Sequence, residues 1–152
     1  DAATDLARIQ SRRGRVLTEL GRLPESRAAF AEARRIFAET LGLEHASTWQ
    51  ATAGLALVEF RSGNAGAAEP LFRTIFASAG YASPVNQGRR GEVDALHGLF
   101  LAESGRSAEA RLTLTGAIAA LADLPEAAGD RRRAERALAA LPAAPAPPPS
   151  AA

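Results

Sequence analysis

The sequence predicts an all-α fold of stacked helix pairs, and three observations carry the prediction. Gly21, Gly63 and Gly105 recur at intervals of 42 residues, opening the segments GRLPESRAAFAEARRIF, GNAGAAEPLFRTIFASA and GRSAEARLTLTGAIAAL. Across these segments Phe30, Phe72 and Leu114 fall in phase, as do Ala33, Ile75 and Ala117. Alanine and leucine dominate, while the β-branched and aromatic residues that favour strands are sparse. A fixed period of this size marks repeated supersecondary units, each burying its apolar face against its neighbours.

The elements follow in order. A first helix is expected over residues 4–20, ended by Gly21, because glycine readily takes the left-handed conformation that closes a helix. A second is expected over 24–41, with Pro24 near its first position, where a missing N–H costs nothing. The same signals place helices at 47–62 and 66–79 on either side of Gly63, and at 88–104 and 107–121 on either side of Gly105.

Small residues recur in the first helix of each pair at Gly14, Ala56 and Gly98, flanked by Val16, Val58 and Phe100. They let paired helices approach closely, and Phe30, Phe72 or Leu114 fills the gap to the next pair. A seventh helix, 126–140, would set Ala134, Ala137, Leu138 and Leu141 against the third pair. It would turn Arg131, Arg132, Arg133, Glu135 and Arg136 to water, as the end of a repeat array requires. The closing LPAAPAPPPSAA, residues 141–152, holds five of the nine prolines and is expected to be a disordered tail.

The stretch Leu41 to Phe76 resembles the tetratricopeptide repeat family, in the 42-residue form of kinesin light chains. Leu41, Gly42 and His45 match its inter-repeat linker, Leu55, Ala56 and Leu57 its first helix, and Ala68, Glu69, Pro70, Leu71 and Phe72 its second. The resemblance covers about Arg8 to Leu121. Arg13 and His97 depart from it in replacing Leu, Glu59 in replacing an aromatic residue, and Ser26 in replacing Ala. It implies a right-handed α-solenoid of three helix pairs plus the capping helix within residues 1–140. The repeats span about 7–41, 49–82 and 91–124, and the cap 126–140.

Composition narrows the function. All 18 basic residues are arginines, against 17 acidic ones, so no bulk field draws the chain to nucleic acid or an anionic membrane. Without lysine there is no phosphate-binding GK[ST] loop and no Schiff base. Without cysteine there is no thiol catalysis, zinc finger or disulfide. No apolar run reaches the roughly 20 residues needed to cross a bilayer, and a cytoplasmic location is expected. The chain starts at Asp1 and contains no methionine, as expected of a segment of a longer protein. The alanine and arginine bias without lysine suggests a GC-rich bacterial genome.

His45 and His97 differ in phase, so they form no repeated ligand pair, and no spacing suits zinc. Asp94 and His97 share a helix face at i, i+3, but no strand-turn-helix elbow supplies a nucleophile. No catalytic residue, metal or cofactor is expected. Trp49 is read as packing between repeats. Arg131 to Arg133 lack interleaved aromatics and are offset by Asp130 and Glu135, which argues against nucleic acid.

In the resembled family the inner face of each first helix lines a groove for an extended or helical peptide. The 42-residue phase maps that face onto Arg8, Ser11, Arg12 and Arg15 in the first unit. The second contributes Gln50, Ala53, Gly54, Leu57 and Arg61, and the third Glu92, Ala95, Leu96, Leu99 and Glu103. The groove would run from basic through apolar to mildly acidic. The Asn and Lys clamp that holds a terminal carboxylate in some family members is absent from these positions. Arginines can still grip an acidic motif bidentately, while Leu57, Leu96 and Leu99 would offer an apolar floor to a partner helix or proline-rich strand. A protein or peptide partner is therefore expected, in a recruiting module of a bacterial signalling or regulatory protein. The alternative is a floor covered by the chain's own tail or by a second copy, giving a homodimer or a regulatory module of a parent enzyme.

Overall fold

The computed structural model describes residues 1–149, and in these the chain forms seven helices and no strand. They are α1 (Ala2–Glu19), α2 (Leu23–Leu41), α3 (Ala46–Arg61), α4 (Ala65–Phe76), α5 (Gln87–Glu103), α6 (Ser107–Leu121) and α7 (Ala128–Ala140). Single 3-10 turns at Pro84–Asn86 and Pro125–Ala127 lead into α5 and α7. Helices α1 and α2, α3 and α4, and α5 and α6 pack as pairs, with α3 bridging α2 to α5 and α7 lying against α5 and α6.

Within each pair the two helices are joined by one device used three times. Gly21, Gly63 and Gly105 take positive φ of 73°, 90° and 80°. The next residue then donates back across the helix end: Arg22 N to Leu17 O at 2.9 Å, Asn64 N to Glu59 O at 2.8 Å and Arg106 N to Leu101 O at 2.9 Å. This is the Schellman closure, which satisfies carbonyls that a helix end leaves open.

Close approach follows the expected pattern. A Cβ on Gly14 would lie 2.9 Å from the Phe30 ring, and one on Gly98 would lie 2.5 Å from a Leu114 methyl. Phe30, Phe72, Leu114, Ala33, Ile75 and Ala117 are all buried. Phe72 also meets His97 and Phe100, ring centroids 4.7 and 5.2 Å away, so aromatic side chains fill the space between α4 and α5.

The departures from the family pattern have local explanations. Buried Ser26 donates to Gly14 O at 2.7 Å and lies 2.6 Å from the Thr18 hydroxyl. Buried Glu59 accepts from Arg27 on α2 and from Asn64 Nδ2. Each polar group is thus paired where an apolar one is usual.

Helix α4 ends three residues before the expected 79. The chain turns away at Ser78, whose hydroxyl accepts from Trp49 Nε1 at 3.1 Å, and Tyr81 packs edge-on to the Trp49 ring at 5.5 Å. Trp49 is buried in this corner. After Ala140 the described residues have no regular structure, although Pro142 O accepts from Arg111 on α6. Residues 150–152 of the expected tail lie outside the described residues.

Candidate functional site

The fourteen mapped positions divide sharply by depth. Ala53, Gly54, Leu57 and Ala95 are buried, so none of them forms an open floor. The reason is the neighbouring pair: a Cβ on Gly54 would sit 2.4 Å from Phe30, on the side of the ring opposite Gly14. Gly54 therefore serves packing between repeats. Leu96 and Leu99 are half-buried and, with Leu57 and Phe30, border a cavity of about 50 Å³ beside Arg15, Glu19, Arg61 and Arg133. That is far below the roughly 300–1,000 Å³ of ordinary ligand pockets.

Arg133 of α7 closes one side of the cavity. Asp130 is buried and accepts from Arg15 on α1 as well as from Arg133, and Arg133 reaches back to Glu19 of α1 at 2.6 Å. These ion pairs clasp the first helix to the last across 114 and 115 residues of chain. Arg133 was expected in water; instead it is mostly covered, because the two carboxylates beside it compensate its charge. Arg132 and Arg136 are exposed as expected, while half-buried Arg131 pairs with Glu135 at 2.9 Å. Ala134 is buried, and Ala137, Leu138 and Leu141 pack against the third pair. The capping helix thus lies against the third pair and brings Arg133 beside the apolar positions.

Arg61 and Glu103 lie one repeat apart and pair with each other, Arg61 Nη2 to Glu103 Oε1 at 2.6 Å. The remaining positions come together in one cleft of about 420 Å³, lined by Arg8, Ser11, Arg12, Arg15, Gln50 and Glu92. It is completed by residues that the phase did not assign, namely Phe37, His45, Ser47, Arg89 and Glu126. Ser47 and Arg89 stand one repeat apart in the first turns of α3 and α5. Extending the groove mapping to those turns would have found both. His45 keeps its linker role, its Nδ1 accepting from Ser47 N at 3.1 Å to cap α3.

The cleft's charges are unequally engaged. Arg8 pairs with Asp5 at 3.0 Å, Arg15 with Asp130, and Arg89 lies 3.7 Å from Glu92. Among the described residues, exposed Arg12 has no carboxylate within pairing distance. Glu92 Oε2 is buried without a hydrogen-bond partner, and burial pushes its carboxyl above the usual range. Arg12 therefore stands on the cleft wall as a guanidinium without a carboxylate partner among the described residues.

A larger recess of about 690 Å³ on α2, α3 and α4 is lined by Arg27, Glu59, Asn64, Pro70 and Leu71. Its Arg27 and Glu59 neutralise each other. His97 lies among Phe72, Phe76 and Phe100, and burial lowers its pKa. Asp94 faces elsewhere, accepting from the Tyr81 hydroxyl, so the two do not form a pair. Among the described residues no group of three or more His, Asp or Glu side chains could hold a metal ion, and no helix is long and apolar enough to cross a membrane.

Helix hairpins repeated at a fixed interval, ended by a polar-backed helix and carrying a charged cleft, define an α-helical repeat scaffold. Residues 5–79 match the family described as tetratricopeptide repeat, and the chain belongs to that family. The third pair lies beyond the matched stretch and keeps the same glycine phase. Repeats of this family generally mediate protein–protein interaction, typically as non-catalytic scaffolds. No curated protein and no solved structure matches the chain.

Proposed function

We propose that the protein is a non-catalytic recruiting module that takes an acidic, extended peptide in the cleft between α1 and the first turns of α3 and α5. The observation that carries this reading is exposed Arg12, without a carboxylate partner among the described residues, beside Arg8 in one cleft. A peptide carboxylate would meet Arg12 and Arg8, where guanidinium geometry favours bidentate contact. The positions between these turns are left out, because Ala53, Gly54, Leu57 and Ala95 are buried.

The domain is read as one unit, residues 1–140, of a larger bacterial signalling or regulatory protein acting in the cytoplasm. The 42-residue spacing supports the kinesin-light-chain-like form of the repeat. Nucleic acid and membrane are not partners in this reading, since the charges nearly cancel.

Fluorescence anisotropy with labelled acidic, neutral and basic peptides of equal length tests the proposal. The acidic peptide should bind most tightly, and Arg12→Glu should weaken it by about tenfold or more, roughly 1.4 kcal/mol. Equal binding of all three peptides, or an unchanged affinity in Arg12→Glu, contradicts it.

A further inference from the structure

The connection from α4 to α5 borders a second cleft, in the interior of the chain. It holds about 400 Å³, a volume ordinary for ligand sites, and is lined by Pro84 of the connection, Arg90 and Asp94 of α5, and Gly116, Ala119 and Ala120 of α6. It shares no lining residue with the Arg12 cleft. The short side chains of α6 leave it open, and a Cβ on Gly116 would meet nothing within 4 Å.

Two opposite charges line this cleft without meeting. Arg90 and Asp94 stand one turn apart on α5, both half-buried, and no ion pair joins them among the described residues. Asp94 accepts through Oδ1 from the Tyr81 hydroxyl. Arg90 lies 5.5 Å from the centre of the Tyr81 ring and gives a long hydrogen bond, 3.4 Å, from Nη1 to Ala82 O. Its Nε is buried, so the terminal nitrogens are the ones a ligand meets. Tyr81 is itself buried against Trp49 and Phe76, ring centroids 5.5 and 5.2 Å away, and thereby fixes both charged groups. Their counterparts one repeat earlier are Thr48 and Thr52. Stacking of the repeat therefore does not require charge at these positions.

We propose that this cleft binds a small α-amino acid as its zwitterion, the carboxylate on Arg90 and the ammonium on Asp94. A simple anion would be repelled by Asp94 and a simple cation by Arg90, so the pair selects a ligand that carries both charges. Alanine and glycine walls offer little apolar area to bury. Binding must come from charge-assisted hydrogen bonds, which are stronger than those of a neutral main-chain amide. Both groups are held in place before the ligand arrives, which lowers the cost of ordering them. The inference does not rest on the acidic-peptide reading of the Arg12 cleft.

The test is amide chemical-shift titration of the full chain with L-alanine, acetate, methylammonium and N-acetylalanine methylamide. L-Alanine should give saturable shifts at Tyr81, Ala82, Arg90, Asp94 and Gly116, and should bind at least tenfold more tightly than any of the other three. Arg90→Gln and Asp94→Asn should each weaken it at least tenfold, with helicity checked by circular dichroism and the Tyr81 corner by Trp49 fluorescence. Gly116→Leu keeps both charges and fills the cleft, so it should abolish binding, whereas Arg12→Glu should leave it unchanged. Absence of saturable L-alanine shifts overturns the proposal, as does acetate or methylammonium binding equally well. Tighter binding of the neutral diamide assigns the cleft to a peptide main chain and also overturns it, as does binding that survives Gly116→Leu.

Discussion

At its C-terminal end the stack closes itself. Helix α7 sets Ala134 against the third pair, exposes Arg132 and Arg136, and sends Asp130 and Arg133 across to α1. At the N-terminal end α1 leaves Leu6, Ile9, Val16 and Leu20 in water. The core follows the same asymmetry: the cluster of Ala7, Ala33, Ile36, Phe37 and Ala51 is small beside the aromatic-rich one that extends from Trp49 to Ala134. Two helices built on one repeat thus differ in what the next layer supplies. A repeat buries only what its neighbour covers.

Substitutions sharpen this contrast. The largest effect belongs to the well-covered interior, where Phe72→Ala should cost about 3–5 kcal/mol in urea unfolding followed by Trp49 fluorescence. A cost below about 1 kcal/mol would mean that the interface between the second and third pairs is not where the core lies. Nearer the open end, Gly54→Ala should cost about 1–3 kcal/mol. The added methyl would meet Phe30, and Gly14 on the other side of that ring leaves it nowhere to move.

Asp130→Ala should cost about 1–3 kcal/mol by leaving Arg15 and mostly covered Arg133 without their shared acceptor. It should also speed amide exchange in α7 more than in α2. Uniform exchange in the two helices would show that the clasp does not hold the end helix. The smallest effect is expected at the open end, where Ile9→Ala should stay within about 0.5 kcal/mol.

A pH series probes the interior further. Burial holds His97 below its ordinary pKa of 6.5, so the unfolded chain binds the proton first as pH falls. Stability should therefore decline as pH drops from about 6.5 through the lowered folded value. His97→Leu should remove that decline, as read from unfolding midpoints at successive pH values. Half-buried Glu92 and Asp94, whose pKa values are raised, act in the opposite sense at lower pH, but they are common to both proteins. Parallel curves for the two proteins would place His97 in water.

Much of the fold is legible in the sequence because its determinants are local and repeated. The positive-φ glycines, the Phe30, Phe72 and Leu114 series and the small residues facing them all follow from phase alone. The candidate site is less legible. The groove mapping treats each first helix as equally open, yet Phe30 occupies the space over Gly54, and Leu57 is covered. The clasp pairs residues more than 110 positions apart, and no local pattern encodes which charges a chain end meets. Arg133 reads as a solvated arginine until Asp130 and Glu19 are placed beside it.

The most direct measurement is amide chemical-shift mapping of the full chain titrated with an acidic peptide. Shifts confined to Arg8–Arg15, Ser47–Gln50 and Arg89–Glu92, with α7 unmoved, are the predicted result. Shifts centred on Leu57, Leu96 and Leu99 together with release of α7, or no shifts at all, would contradict the account.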